Sequence, residues 1–247
     1  YQSTGELARH MTKGKRLFPR MVITERPDRI AYNLGKGKVI ILLEGTPFAL
    51  IAPSVFYDFM SSMDDLYQPY WVAKFLILLR YIGLFISILT PGLYVALTAY
   101  NPEILRVQLT LSIAGTRAAV PYPAYIELLF MLLMMELLIE ASIRIPKTIG
   151  GTATTVGGLI LGTAATEAAL VSNIMIIVVS AVAISNFVIP INEMSFAFRV
   201  FKYIIVLLAT FTGLIGIIVG FLALVMYLVH LDSFGSPFLK VYGSEEK

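Results

Sequence analysis

Long apolar segments constrain the fold of this chain more than any other feature. The segment KFLILLRYIGLFISILTPGLYVALTAY, Lys74 to Tyr100, is long enough to cross a hydrocarbon layer of about 30 Å as a tilted helix. Further apolar segments cover Pro123 to Ser142, Leu170 to Pro190 and Tyr203 to Val229. Because 57% of the residues are hydrophobic and only 14% are charged, the composition indicates a membrane protein and not a soluble domain.

The stretch GGTATTVGGLILGTAATEA, Gly150 to Ala168, is apolar but rich in small and polar residues. Four residues at intervals of four form a stripe of small side chains on one helix face: Thr154, Gly158, Gly162 and Thr166. Such a stripe allows another helix to approach closely. A second stripe offers a possible mate: Thr212, Gly216 and Gly220. The same glycines also permit a broken helix whose backbone coordinates ions, so helix packing and ion coordination both stay open.

These segments predict an all-α polytopic membrane protein with four to five transmembrane helices after a small soluble α+β edge. In that edge, Val39 to Leu43 and Phe48 to Ala52 are short β-favouring runs. The tetrapeptide Glu44-Gly45-Thr46-Pro47 separates them, which predicts a β-hairpin over residues 39–52. A short helix is expected from Pro53 onward.

The predicted domains are the C-terminal edge of a soluble cytoplasmic domain (1–71), a transmembrane helical domain (72–232) and a C-terminal tail (233–247). Nine of the nineteen Lys and Arg residues precede the first apolar segment, which predicts a cytoplasmic N-terminal region. We expect an upstream region, because Tyr1 is not an initiator methionine. Five crossings would place the C-terminus outside, whereas a re-entrant loop at Gly150 to Ala168 would return it to the cytoplasm.

Carboxylates within the apolar segments are candidate ion-path residues, because a charge at the centre of a lipid-facing helix costs about 3 kcal/mol. Glu136, Glu140 and Arg144 follow one another at i, i+4 spacing on one helix face. Glu136 either lines a cation path or bonds to another helix, and Glu140 either joins that path or pairs with Arg144. Glu127 either contributes to the path or reaches the headgroups, and Glu167 faces solvent, a partner or the path.

Two features of the first apolar segment also carry predictions. Arg80 either extends to the cytoplasmic interface or pairs with a glutamate of the second segment. Pro91 and Gly92 predict a kink or hinge, because proline removes a helix hydrogen bond. Residues 101–122 are only mildly apolar, and they predict an interfacial helix with a loop or, alternatively, a buried re-entrant segment.

Several function classes are disfavoured by residue content. The chain has no cysteine, which excludes disulfides, thiol nucleophiles and cysteine metal sites. His10 and His230 are far apart in sequence, and no catalytic or metal-ligand spacing includes them. The basic N-terminal region has few interleaved aromatic residues, which argues against nucleic-acid binding. We therefore predict no enzyme activity, no metal and no cofactor.

Eight strings, in order over about residues 16–240, resemble the membrane half of the A-subunit family of GerA-type spore germination receptors, including its stage V sporulation paralogue. The strings are ERPDRI, EGTPFALIAP, LRYIGLFISILTPGLYVALTAYNPE, TLSIAGTR, VPYP, ELLIEASIRIP, VGGLILGTAATEAALVS and HLDSFGSPFL. The sequence departs from the family pattern at Thr163, where glutamine is usual, and around Gly150 to Thr155.

The resemblance implies an integral protein of the spore inner membrane in an endospore-forming bacterium. It also implies a transporter-like B subunit and a lipoprotein C subunit as partners, and a homo-oligomeric assembly proposed to conduct monovalent cations. We therefore predict a receptor subunit that contributes to a cation channel during nutrient-triggered germination and contacts membrane lipid. The alternatives are a non-conducting scaffold or signalling subunit and a secondary transporter, although no internal repeat supports the latter.

Overall fold

The computed structural model of the chain describes residues 3–12, 17–144 and 147–240, and side chains in these ranges except at 147–154. The fold is mostly helical with a small antiparallel sheet, as predicted. The α-helices are α1 (Thr4–Met11), α2 (Pro27–Gly35), α3 (Phe56–Met60), α4 (Tyr70–Val95), α5 (Val107–Arg117), α6 (Ala124–Arg144), α7 (Lys147–Glu167), α8 (Asn173–Phe187), α9 (Asn192–Thr212) and α10 (Leu214–His230). The strands are β1 (Val22–Thr24), β2 (Val39–Leu42), β3 (Ala49–Ala52), β4 (Asp232–Ser233) and β5 (Ser236–Pro237).

The described residues group into two compact units. The sheet unit lies within Tyr1–Ile82, Phe187–Phe198 and Leu222–Lys247, and the helical unit lies within Gly83–Asn186 and Arg199–Phe221. Helices α4, α9 and α10 contribute residues to both units, as does α8 through its last residue, Phe187. This grouping differs from the predicted domain boundaries, because it divides the predicted transmembrane domain.

The predicted hairpin is confirmed. Strands β2 and β3 pair antiparallel, with Val39 opposite Ala52 and Leu42 opposite Ala49. Strand β1, which the sequence did not predict, pairs with the other edge of β3, so the order is β1-β3-β2. All four residues of β3 are buried, which accounts for the continuous apolar run in this strand.

The segment after α10 packs into the sheet unit. The Ser233 hydroxyl accepts a hydrogen bond from the Ser54 backbone N–H at 3.0 Å and donates to the Arg20 carbonyl at 2.8 Å. The Phe56 backbone N–H donates to the Phe238 carbonyl at 2.8 Å. The first residues of the predicted tail therefore belong to the same compact unit as the sheet.

Two helical segments among the described residues have the length and hydropathy of membrane spans. They are Tyr70–Tyr100, with 31 residues and a mean hydropathy of 2.1, and Asn192–Thr212, with 21 residues and 1.7. Helices α8 and α10 are apolar but shorter. This result supports part of the prediction, since four to five spans were expected. Helix α6 is 21 residues long but contains several ionisable side chains, which lower its hydropathy.

The prediction that Tyr203 to Val229 forms one span is wrong. The chain turns at Gly213, whose φ of +65° is in the left-handed region that favours glycine. Helix α10 then folds back along α9. The close contact is seen at Gly220, where a Cβ atom would lie 3.1 Å from Leu208 and 3.3 Å from Ile205. The apolar run continues through the turn, so hydropathy alone did not locate it.

Helix α4 continues through Pro91 to Val95, and a π-helical turn follows at Ala96–Tyr100. The kink at Pro91 stays a prediction. The link that follows contains α5, all of whose residues are at least partly exposed. The predicted helix in this link is therefore present. The exposure of α5 contradicts the alternative prediction of a buried re-entrant segment. The core of the helical unit is formed mainly by side chains of α4, α6, α8 and α9, and α7 contributes Ala165.

Candidate functional site

Glu136 of α6 is bound by two cations from α9. Its Oε2 accepts hydrogen bonds from Arg199, including one from Nε at 2.8 Å, and its Oε1 lies 3.0 Å from Lys202 Nζ. The side chains of Glu136, Arg199 and Lys202 are 18%, 12% and 1% exposed. One turn along, the Tyr203 hydroxyl donates to the Leu132 carbonyl at 3.4 Å. These contacts hold α6 and α9 antiparallel at this level.

The cluster of Glu136, Arg199 and Lys202 is hereafter called the α6–α9 ion cluster. One carboxylate and two cations leave it with a formal charge of +1. Such a cluster depends on its single carboxylate, because loss of Glu136 would leave two cations buried without compensation. In this conformation Glu136 makes the interhelical contact that was one of its two predicted roles, and its role in an ion path stays a prediction.

Glu127 lies fully inside the helical unit. Its Oε1 accepts hydrogen bonds from the Ser172 backbone N–H at 2.6 Å and from the Ser172 hydroxyl at 2.7 Å, and Arg117 Nε lies 3.2 Å from Oε2. Because Ser172 immediately precedes α8, the carboxylate lies at the positive end of that helix dipole. Glu127 is 1% exposed, so the interpretation that it reaches the headgroups is wrong.

The two remaining carboxylate candidates are exposed on the surface of the single chain. Glu140 accepts a hydrogen bond from Arg144 Nη2 at 2.7 Å, which confirms the predicted pair. Their side chains are 57% and 77% exposed, so the pair contributes little to stability. Glu167 lies exposed at the end of α7. The structure therefore does not bring the four carboxylates together, and their assignment to an ion path stays a prediction.

Arg80 forms an ion pair that the sequence did not predict. Both of its terminal nitrogens donate to the Asp65 carboxylate, and Nη1 also donates to the Met60 carbonyl at 3.2 Å. The predicted alternative of a pair with a glutamate of the second segment is wrong. Burial acts to raise the pKa of Asp65, but hydrogen bonds from Arg80 and from the Ser62 backbone hold that pKa below its ordinary value.

The sequence interpretation missed the partners of these carboxylates. No local pattern marked Arg199 and Lys202 as partners of Glu136. Their three-residue spacing places both on one helix face, which is the signal that would have identified a shared binding partner. Ser87 and Asn186, which share a buried hydrogen bond, were also missed, since nothing local links residues 99 positions apart.

Gly92 was predicted as a hinge, but the structure shows it at a close helix contact. A Cβ atom there would lie 3.1 Å from Ile205, 3.4 Å from Ile217 and 3.6 Å from Ala209. Those three residues belong to α9 and α10. The absence of a side chain at Gly92 therefore allows α4 to pack against the α9–α10 hairpin, whereas the predicted hinge at Pro91 and Gly92 stays untested.

The small-residue stripe of α7 lies beside α6 and α8. A Cβ atom would lie 3.8 Å from Leu138 at Gly158 and 3.9 Å from Ile176 at Gly162, both ordinary contacts. The tighter position is Gly157, outside the stripe, at 3.0 Å from Leu138. The Thr166 hydroxyl bonds to the Gly162 carbonyl of its own helix at 3.1 Å. The side chain of Thr154 lies outside the described residues.

The second stripe does not serve as the mate of the first. A Cβ atom at Gly216 would lie 2.3 Å from the Leu208 carbonyl oxygen and 2.4 Å from Thr212 Oγ1, both in α9. At Gly220 the nearest atoms also belong to α9. These glycines allow the two arms of the α9–α10 hairpin to pack with their backbones in close contact.

No group of three or more metal-ligating side chains suited to a metal occurs among the described residues.

Comparison with known proteins gives one family. The sequence profile of the family described as Bacillus/Clostridium GerA spore germination protein matches residues 2–246. Spore germination protein GerLA of Bacillus cereus is 44% identical over 221 residues, which are 90% of this chain and 45% of the relative. Spore germination protein B1 of Bacillus subtilis (strain 168) is 40% identical over 224 residues, 90% of this chain and 46% of the relative.

The uncharacterized membrane protein YfkQ of Bacillus subtilis (strain 168) is also similar, with 39% identity over 222 residues that cover 90% of this chain and 43% of YfkQ. The chain spans less than half the length of these three relatives. No solved structure matches it significantly. Since the profile covers nearly every residue and the relatives exceed 35% identity, the chain belongs to the GerA family of spore germination proteins.

Proposed function

We propose that this chain is the membrane part of a spore germination receptor A subunit, and that copies of it assemble into a path for monovalent cations. The main support is the surface of α4. In the most apolar window of Tyr70–Tyr100 only 22% of the residues are buried, and Phe75 and Leu78 are 59% and 55% exposed. Exposed apolar surface costs about 25 cal/mol per Å² in water, so lipid or a second subunit is expected to cover it.

The proposed topology has six crossings, by α4, α6, α7, α8, α9 and α10. The hairpin turn at Gly213 adds the sixth to the five that the sequence suggested. Hydrogen bonds from Ser54 and Phe56 to the segment after α10 support a C-terminal segment on the same side as the sheet. With the sheet in the cytoplasm, the link carrying Arg144 and Lys147 is also cytoplasmic, as the positive-inside rule requires.

The exposed face of α7 is the proposed contact between subunits. Val156, Ile160, Thr163 and Glu167 follow one another at intervals of three or four, and each is exposed. One face of a helix therefore carries a row of apolar, hydroxyl and carboxylate groups. Such a row suits a helix that contacts neighbouring subunits and borders a water-filled path, where Glu167 attracts cations.

This assignment divides the carboxylates by role. Glu127 and Glu136 are engaged by cationic side chains within one chain and are expected to stabilise helix packing. Glu140 and Glu167 are exposed, and Glu167 is the one on the proposed contact face.

By family resemblance, the complete subunit acts in the spore inner membrane with a transporter-like B subunit and a lipoprotein C subunit.

The test is cation flux through the full-length subunit, reconstituted in liposomes with and without its partner subunits. A potassium gradient and a potassium-sensitive dye report the flux. Glu167→Gln is expected to reduce cation flux or cation selectivity, because it removes a charge from the path. Glu103→Gln is the matched control, since Glu103 is an exposed carboxylate outside α7.

Flux no greater than that of empty liposomes, in the presence of all subunits, would contradict conduction and favour the non-conducting scaffold. Equal flux and selectivity in the two variants would remove Glu167 from the path. Chemical crosslinking between single cysteines on the exposed α7 face tests assembly independently, because this chain has no native cysteine and any cysteine elsewhere in the full-length subunit is replaced by serine.

A further inference from the structure

We infer that a cavity in the sheet unit, between α2, α3 and the start of α4, binds the phosphate headgroup of an anionic phospholipid. Its volume is about 340 Å³, which is within the range of small-molecule pockets. Two lysines and three tyrosines are among the lining residues: Lys36, Lys74, Tyr32, Tyr57 and Tyr70. Ammonium groups and phenol hydroxyls are the donors that a phosphate group requires.

The cavity is electropositive, although two carboxylates also line it. Asp58 accepts hydrogen bonds from Lys38 Nζ at 2.7 Å and from the Val55 backbone N–H at 2.8 Å. Asp65 is bound by both terminal nitrogens of Arg80. Both carboxylates are therefore compensated by Lys38 and Arg80, so Lys74 gives the lining a net positive charge, and Lys36 adds a second ammonium group.

The two lysines are held at the cavity by aromatic rings. Lys36 Nζ lies 4.3 Å from the centroid of the Tyr32 ring, and Lys74 Nζ lies 5.5 Å from that of Tyr70. Cation–π contacts of this kind orient an ammonium group without neutralising its charge. Both lysines are exposed, so an anion reaches them without displacing a buried side chain.

The shape of the α4 wall favours a lipid over free phosphate. The lining residues Tyr70, Ala73, Lys74 and Ile77 fall at positions i, i+3, i+4 and i+7 of α4, which is one face of the helix. Seven residues extend about 10 Å along a helix axis. The wall thus passes from polar groups to apolar side chains, which matches a phosphate joined to acyl chains.

The start of α4 has the side chains of a membrane interface. Tyr67, Tyr70 and Trp71 are 74%, 66% and 82% exposed, and the apolar part of α4 follows directly. Tyrosine and tryptophan are enriched at the headgroup level of membrane proteins. The cavity therefore lies at the level where lipid phosphates occur. This step depends on the proposed insertion of α4 into a membrane.

Trp71 is the single tryptophan of this chain and lies next to the cavity residue Tyr70, so it reports directly on the site once any tryptophan elsewhere in the full-length protein is replaced by phenylalanine. The full-length protein is reconstituted in phosphatidylcholine vesicles that contain, at equal low mole fraction, either brominated phosphatidylglycerol or brominated phosphatidylcholine. Bromine quenches tryptophan fluorescence on contact. We expect the anionic lipid to quench Trp71 at a roughly 25-fold lower mole fraction, because each of the two lysines contributes about fivefold, equivalent to about 1 kcal/mol.

The variant Lys36→Gln/Lys74→Gln is expected to lose this preference and to keep the quenching by brominated phosphatidylcholine. The control Arg9→Gln/Arg106→Gln removes two exposed cations that do not line the cavity and should keep the preference. A preference that survives in the lysine variant, or that is lost equally in the control, would overturn the site.

Two further outcomes separate the sources of failure. Quenching by neither brominated lipid would mean that the start of α4 is not at a membrane, which contradicts the proposed function together with the lipid site. Quenching by both lipids without a preference would contradict the site alone. If inorganic phosphate at tens of millimolar abolishes the preference, the cavity binds free phosphate and the lipid assignment is wrong.

Discussion

Replacement of Glu136 by glutamine should destabilise the protein far more than the same replacement of Glu140, which lies one helix turn away. The change leaves Arg199 and Lys202 charged where their side chains are only 12% and 1% exposed. Removal of one partner from a buried pair costs about 3–5 kcal/mol. Because Glu136 itself is 18% exposed and some solvent reaches it, we expect the lower end, about 3 kcal/mol.

Two matched variants isolate the cause. Glu140→Gln removes the same charge from the same helix, but its pair with Arg144 is exposed, so the expected cost is at most about 1 kcal/mol. Lys202→Met removes the second cation of the α6–α9 ion cluster and leaves the Glu136–Arg199 pair intact. The expected change in the free energy of unfolding is within about 1 kcal/mol of zero, because the variant no longer has to bury the Lys202 charge, and this gain compensates for the lost contact.

The measurement is thermal unfolding of the full-length protein in detergent, followed by far-ultraviolet circular dichroism. A change of 1 kcal/mol shifts the midpoint by about 2–4 °C for a cooperative unit of this chain's size, so Glu136→Gln should lower the midpoint of the membrane part's transition by roughly 6–12 °C. In the Lys202→Met background the same change should cost about 1–3 kcal/mol less. Equal midpoints for Glu136→Gln and Glu140→Gln would refute the ion cluster.

Three further predictions concern backbone contact, pH and topology. A methyl group at Gly216 would lie 2.3 Å from a carbonyl oxygen of α9, so Gly216→Ala should lower the melting midpoint by several degrees. The control Gly115→Ala adds a methyl group in open space on α5 and should not lower it. Equal midpoints for the two variants would contradict the α9–α10 hairpin. The pKa of Asp65 is lowered on folding. The ionised carboxylate therefore contributes its full stabilisation at pH values above the ordinary pKa of about 3.9, and this stabilisation is lost as the pH falls through the lowered pKa. The difference in melting midpoint between the parent and Asp65→Asn should therefore shrink on acidification, and a constant difference would argue against this linkage. A cysteine at Phe234 should be protected from an impermeant maleimide applied outside intact cells and one at Gln108 should react; the reverse pattern would contradict the six-crossing topology.

Local patterns predicted the secondary structure where its determinants are local. Residues 39–52 form the predicted hairpin because two β-favouring runs flank a turn that contains Gly45, whose φ is +83°. The break at Gly213 was missed for the opposite reason. Gly216 and Gly220 lie inside α10, so a glycine in an apolar run does not by itself mark a turn. Only the packing of α10 against α9 distinguishes Gly213 from its neighbours.

The candidate site shows the same division. The cost of burying a charge indicated that Glu136 faces protein or water, and it lies against α9. Its partners were beyond the reach of local patterns, because Arg199 and Lys202 are 63 and 66 positions away. Glu127 was interpreted either as a path residue or as one that reaches the headgroups, and the hydrogen bond from Ser172 that helps to bury it joins residues 45 positions apart.

By itself, the sequence determined that the chain is helical and membrane-like, that a hairpin precedes the helices, and that the family is GerA. Apolar segment length, turn residues and ordered motifs are properties of consecutive residues, so they are present before folding. The tertiary structure decided which charges are paired, where the last apolar run turns, and that the C-terminal segment joins the sheet unit. Those outcomes depend on distances between residues far apart in sequence, and such distances exist only once the helices have packed.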